Sequence, residues 1–182
     1  MSSNSKVLAL KYRPVIFNDV IGQEITSETI FNSIKDNKIP NAYLFTGIRG
    51  VGKTSFARLV AKALNCQNGI EKLCSSNLCE SCKSISTSNN IDVLEMDAAS
   101  KTGVDDVREL IEFSRYGPIN AKYKIFIIDE VHMLSKQAFN SLLKTLEEPP
   151  EYSNGGALKF IFATTELKKI PITVLTRCQR FD

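Results

Sequence analysis

Ala42-Tyr43-Leu44-Phe45-Thr46-Gly47-Ile48-Arg49-Gly50-Val51-Gly52-Lys53-Thr54 decides the architecture. Its first five residues form a short apolar run, rich in aromatic and branched side chains, of the kind that fills a buried strand. Beyond it, Phe56, Leu59, Val60, Ala63 and Leu64 recur at helical spacing. Between strand and helix, Gly47 to Thr54 fits G-x-x-x-x-G-K-[ST] in the setting that motif requires. The glycines let the backbone turn tightly, so that successive N–H groups of Gly47, Ile48, Arg49, Gly50, Val51 and Gly52 can point at phosphate oxygens. The helix N-terminus adds its positive end. Lys53 is placed to reach β- and γ-phosphates, and the Thr54 hydroxyl to join a Mg²⁺ shell.

Outward from this stretch the alternation continues. Ile91-Asp92-Val93-Leu94-Glu95 reads as a second strand, Tyr123 to Ile128 as a third and Leu158 to Thr164 as a fourth. Val104, Val107, Leu110 and Ile111 stripe one intervening helix; Ala138, Phe139, Leu142, Leu143 and Leu146 stripe another, which Pro149-Pro150 ends. Strands separated by helical patterns of this length imply βαβ units with helices on both faces. The expected fold is α/β, a three-layer αβα P-loop domain with a parallel sheet. Ser153-Asn154-Gly155-Gly156, within a short insertion at 151–158, reads as a mobile surface loop.

Ile125-Phe126-Ile127-Ile128-Asp129-Glu130 is the second chemical signal. Four apolar residues ending in two carboxylates describe a buried strand that presents acid groups at its C-terminal end, where α/β sheets bind ligands. Alone, an acidic pair there is an ordinary solvated turn. Behind a phosphate-binding loop, Asp129 is expected to hold Mg²⁺ and Glu130 to orient and polarise an attacking water. His132, the single histidine, reads as a packed or capped residue near a helix start.

Four of the five cysteines fall close together, spaced C-x₇-C-x₄-C-x₂-C: Cys66, Cys74, Cys79 and Cys82. The closing Cys79-Glu80-Ser81-Cys82 is a knuckle able to put two thiolates on one ion. Zn²⁺ favours four tetrahedral sulfurs, and four thiolates leave no open position, so a structural site is expected at 66–82. The bland alternative is four reduced, unliganded thiols. Cys178 reads as a buried small residue.

Composition is that of a globular chain: 182 residues, 43% hydrophobic, 24% charged, net charge +3. No block of like charge marks a nucleic-acid or membrane footprint. No apolar stretch is long enough to span a bilayer and the N-terminus lacks a signal-peptide core, so a cytoplasmic protein is expected.

Taken together, the residues resemble the N-terminal AAA+ domain of the bacterial clamp-loader ATPases, the gamma/tau family of DNA polymerase III. The resemblance runs through Lys11-Tyr12-Arg13-Pro14, Asp19-Val20-Ile21-Gly22-Gln23-Glu24, the phosphate loop with Ser55-Phe56-Ala57-Arg58, and Asn65-Cys66 with the cysteine module. It continues through Asp97-Ala98-Ala99-Ser100, Ile128-Asp129-Glu130-Val131-His132-Met133-Leu134, Leu143-Lys144-Thr145-Leu146-Glu147-Glu148-Pro149-Pro150, Ala163-Thr164-Thr165 and Arg177-Cys178. The intact phosphate loop separates it from the related delta-prime subunit, and the cysteine module from archaeal and eukaryotic loader subunits.

The resemblance implies an ATPase that couples ATP to loading of the sliding clamp on primed DNA, with ATP, Mg²⁺ and structural Zn²⁺ as ligands. It implies delta, delta-prime and further gamma/tau copies as partners. It assigns Thr165 as the sensor of the γ-phosphate and Arg177 as an arginine finger acting in a neighbouring subunit's site. Ala9, Arg13, Val20 and Ile21 would flank the base and ribose. Ser100, Lys101 and Thr102, at a helix start, would touch DNA phosphates. The cysteine spacing departs from the family's x₈, x₂, x₂ form, which bears on loop geometry more than on metal binding. The whole chain, 1–182, is expected to be one such domain, ending before the family's helical lid and collar. On that basis weakened nucleotide binding and little hydrolysis are expected. The competing reading is a non-catalytic assembly fragment; a helicase would need a second motor domain, and no polymerase site is visible.

Overall fold

The computed structural model describes residues 12–101 and 103–182, so the expectations for Ala9 and Thr102 lie outside the described residues. Along the chain run α1 (Glu24–Lys35), β1 (Ala42–Thr46), α2 (Lys53–Asn65), α3 (Glu80–Ser86), β2 (Val93–Asp97) and α4 (Val104–Ser114). They are followed by β3 (Tyr123–Asp129), α5 (Lys136–Glu147), β4 (Ala157–Thr164), α6 (Ile172–Leu175) and β5 (Gln179–Phe181). The strands form one parallel sheet in the order β2-β3-β4-β1-β5.

Side chains of a strand alternate between faces, and the two cores divide along that alternation. Tyr43, Phe45, Ile125, Ile127 and Ile161 pack beneath α1, α2 and α3. Leu44, Phe126, Ile128, Phe160 and Phe162 pack against α4 and α5. Both faces are covered, and this is why β3 and β4 read as continuous apolar runs. The three-layer α/β expectation holds.

Five details differ from the sequence reading. The second strand begins at Val93, not Ile91, because the buried Asp92 carboxylate turns away to accept the Ile119 and Asn120 N–H groups, each at 2.8 Å. A fifth strand pairs with β1, and α1 precedes β1; neither was expected. The helix after Ser100 and Lys101 starts only at Val104, with Gly103 as its N-cap. The loop at 151–158 is tied down rather than free: the Tyr152 hydroxyl donates to Ser114 O at 2.5 Å and Asn154 Nδ2 to Pro118 O at 2.8 Å.

Ser135 caps α5, its hydroxyl accepting from Ala138 N at 3.2 Å. Ser135→Ala is expected to cost about 1 kcal/mol, a fall of roughly 2–4 °C in Tm for a domain of this size. Thermal unfolding followed by circular dichroism checks it; an unchanged Tm would show the cap to be dispensable.

Candidate functional site

The sheet register assembles the site. Thr46 of β1 lies opposite Thr164 of β4, and Ile128 of β3 opposite Phe162. The residues at and just beyond these strand ends, Gly47, Thr165 and the Asp129–Glu130 pair, therefore meet at one edge, the C-terminal edge where parallel sheets bind ligands.

The phosphate loop needs its glycines. Gly50 and Gly52 adopt φ +89° and +94°, a region that L side chains enter at a cost. Gly52 is also the N-cap of α2, so the helix's first free N–H groups face the loop. The Lys53 ammonium donates to the carbonyls of Gly47 and Ile48, each at 2.9 Å. Ile48 and Arg49 are exposed at the loop's crest.

The acid pair sits directly across. Thr54 Oγ1 donates to Asp129 Oδ2, so the two oxygens expected to hold Mg²⁺ are already together. Asp129 Oδ1 accepts from Glu130 N at 2.9 Å. Glu130 is in the left-handed region, φ +47°, a strained conformation for a residue with a side chain and one found often at functional sites. Its Oε2 accepts from both Thr165 N, 3.1 Å, and Thr165 Oγ1, 3.0 Å. Sequence reasoning placed Glu130 and Thr165 in one site; that they are joined directly could not be read from residues 35 positions apart.

Beside the loop opens a cleft of about 410 Å³, lined by Arg13, Val20, Ile21 and Gly50 to Lys53. Three of the residues expected at the base and ribose are thus brought beside the phosphate loop. Burial and the neighbouring Arg58 hold the Arg13 guanidinium below its ordinary pKa. Arg13 Nε is buried and takes no partner among the described residues, an unusual state for a charged donor. Arg58 is engaged by Glu95 through two hydrogen bonds, 2.7 and 2.6 Å, and that pairing raises its pKa. Phe181 and Asp182, which sequence reasoning missed, also line the cleft, with Asp182 Oδ1 accepting from Thr46 Oγ1 at 2.5 Å.

Arg177 does not line this cleft. Its guanidinium pairs with Glu147 at the end of α5 and donates to Thr173 O at 2.5 Å. Ser100 and Lys101 are exposed, with the Ser100 hydroxyl donating to Asp97 O at 3.0 Å.

At the far end of α2 the four cysteines converge. The sulfurs of Cys66, Cys74, Cys79 and Cys82 all lie within 4.8 Å of one another, and those of Cys66 and Cys74 are 3.6 Å apart. Four sulfurs at about 2.3 Å from a central Zn²⁺ stand a little under 4 Å apart, so the cluster fits that ion. Burial pushes the Cys66 and Cys82 thiols up. For Cys79, partial burial is outweighed by hydrogen bonds from the Cys82 and Gln67 backbone and from neighbouring thiols, which bring it down to about 7. Cys178 is only half-buried, packed at the margin of the α4–α5 core, and burial raises its thiol to about 12.

Comparison with known proteins follows the same lines. Residues 22–182 match the family described as DNA polymerase III, delta subunit. The chain is 52% identical over 176 residues to DNA polymerase III subunit tau/gamma of Haemophilus influenzae, covering 97% of this chain and 25% of that protein. It is 48% identical over 176 residues to DNA polymerase III subunit tau of Escherichia coli, covering 97% and 26%. The chain thus spans about a quarter of the length of these curated relatives. Among solved structures it resembles a DNA polymerase III gamma subunit-related protein of Thermotoga maritima, with TM-score 0.57 and 24% identity over 85% of this chain and 44% of that one. It also resembles the RuvB Holliday junction branch migration motor of Thermotoga maritima, with TM-score 0.62 and 17% identity over 93% and 47%. Below 25% identity these two likenesses bear on the fold alone. Among the described residues no helix is long and apolar enough to cross a membrane.

Proposed function

The chain belongs to the DNA polymerase III family that includes the gamma and tau subunits, and from that premise we propose that it is the ATP-binding and ATP-hydrolysing domain of a clamp-loader subunit. The observation that carries the reading is the junction of Lys53, Thr54, Asp129, Glu130 and Thr165 at one sheet edge, beside a cleft lined by Arg13, whose buried Nε has no partner among the described residues.

In this reading the backbone of the phosphate loop and Lys53 take the β- and γ-phosphates, while Arg13, Val20 and Ile21 flank base and ribose. Thr54 and Asp129 hold Mg²⁺, which neutralises charge developing on the phosphates. Glu130 orients and polarises the water that attacks the γ-phosphorus, and Thr165, which holds that carboxylate, is the sensor of the γ-phosphate. Arg177, held away from its own cleft by Glu147, serves a neighbouring copy's site. The four cysteines hold a structural Zn²⁺ that ties residues 66–82 to the end of α2. The partners are delta, delta-prime and further gamma/tau copies, the sliding clamp and primed DNA, in the cytoplasm.

Calorimetric titration of the protein with Mg-ATP, beside Lys53→Ala, tests the reading. Removing an ammonium that bonds phosphate forfeits roughly 1.5–3 kcal/mol, so the affinity is expected to fall at least about tenfold. Binding in neither protein would leave a folded scaffold whose ATP site other segments complete, which is the alternative reading. ATP turnover measured with the other loader subunits present separates an active subunit from a non-catalytic one.

A further inference from the structure

Glu130 has a neighbour to which the ATPase reading gives no part. His132 lies two residues on, in the 3-10 turn Val131–Met133, with its side chain only 5% exposed. Its Nδ1 is 3.0 Å from Thr164 Oγ1 and 3.4 Å from Glu130 Oε2. Its Nε2 is 3.5 Å from Glu166 Oε1. Thr164 is fully buried at the end of β4, and its hydroxyl also accepts from Glu166 N at 3.0 Å.

Two residues of one turn thus face two consecutive residues of another segment. Glu130 and His132 are carried on a single tight turn, closed by Met133 N donating to Glu130 O at 2.8 Å. Thr164 and Thr165 leave β4 together. Glu130 grips Thr165 and His132 grips Thr164, so the gap beyond β3 and β4 is crossed twice. A buried imidazole needs a partner, and Thr164 alone would supply one. Only the Nδ1 edge, however, also reaches the carboxylate oxygen that Thr165 holds. With the hydrogen on Nδ1, a single N–H faces both Thr164 Oγ1 and Glu130 Oε2.

We infer that His132 is a positioning residue for Glu130. Its Nδ1 edge, locked to the buried Thr164 hydroxyl, fixes the turn and keeps one carboxylate oxygen on Thr165, which leaves the other oxygen to act on water. This inference rests on the proposal that Glu130 serves ATP hydrolysis. Without His132 only Thr165 ties the turn across to β4 and Glu130 loses its fixed aim; misplacement of a reacting group by about 1 Å costs up to about 10²-fold in rate.

The two ring nitrogens can be separated by substitution. Asparagine places an amide near the Nδ1 position, glutamine near Nε2. ATP turnover of the full-length subunit assembled with its partner subunits, with kcat and KM resolved, is measured for His132→Asn, His132→Gln and His132→Ala. His132→Asn is expected to keep kcat within about threefold, and the other two to lose roughly tenfold or more with KM for ATP unchanged. In a Glu130→Gln background, His132→Ala should cost nothing further, since the carboxylate it positions is gone. Should His132→Ala fail to fold, the contrast of Asn with Gln carries the test. An Ala variant with parental kcat, an Asn variant as slow as Ala, or a Gln variant as fast as Asn each overturns the inference. An unsubstituted assembly that does not turn over ATP overturns the hydrolysis reading, and this one with it.

Discussion

Glu130→Gln is expected to lower kcat for ATP hydrolysis by about 10²- to 10⁴-fold, the contribution of a positioned general base, while Mg-ATP still binds. The amide is isosteric with the carboxylate and its oxygen can still accept from Thr165 N and Thr165 Oγ1, the bonds now made at 3.1 and 3.0 Å. The scaffold therefore survives and only the capacity to draw a proton from water is lost. Thr54 keeps its bond to Asp129 and Lys53 its bonds to the Gly47 and Ile48 carbonyls, so the affinity measured by calorimetry should stay within about threefold of the parent value, a loss confined to the chemical step. Single-turnover measurement of phosphate release, beside the titration, separates the two quantities. Turnover above about a tenth of the parent rate, too small a loss for a general base, would place the base elsewhere.

Stripping zinc from the protein is expected to lower Tm by roughly 10 °C, the shift made by about 3–5 kcal/mol in a domain of this size. The reason lies in the module's own weakness. Its helix α3 has 7 residues, far below the length at which a helix is stable alone. Cys79 caps that helix, its sulfur accepting from Cys82 N at 3.5 Å, while Cys66 closes α2, so the sulfurs are the points at which module and domain are joined. Metal binding demands thiolates, whereas burial holds the Cys66 and Cys82 thiols above their ordinary value. The metal-free form thus carries more protons than the metal-bound one, and the zinc-dependent gain in Tm should grow with rising pH and fade as pH falls, more steeply below about 7, where the Cys79 thiolate is protonated as well. Thermal unfolding with and without a chelator across pH, together with a zinc count near one per chain, checks this. A chelator-insensitive Tm would return the cysteines to ordinary buried thiols.

The parts of this molecule that were legible in its sequence are those where one local pattern suffices. A strand, a glycine turn and a helix fall within Ala42 to Asn65, so the phosphate loop could be placed without tertiary knowledge. Buried strands β3 and β4 announced themselves because both their faces are covered. The strand order could not be read, since a strand that is apolar on both sides carries no mark of its neighbours. β5 was missed for the opposite reason: three residues, two of them exposed, give neither an apolar run nor an alternation. α1 was missed as well, its first turn exposing Ile25 so that the apolar stripe begins only at Ile30. At the site, residue types were legible and contacts were not. Nothing near His132 signals Thr164, 32 positions away, and nothing near Glu130 signals its left-handed backbone.

The place of β1 within the sheet also sets a timetable for the chain's birth. Ala42–Thr46 pairs only with Ala157–Thr164 and Gln179–Phe181 among the described residues, and not with the two strands synthesised between. At about 5–20 residues per second, the strand that leads into the phosphate loop waits roughly 5–25 s for its first partner to leave the ribosome. Through that interval Tyr43, Leu44 and Phe45 have no ladder to join. The β2–β3 pair can form earlier, so the nucleotide cleft is the last part of the domain to be closed during synthesis, and a nascent chain halted before Ala157 holds the whole G-x-x-x-x-G-K-[ST] motif with no strand to seat it.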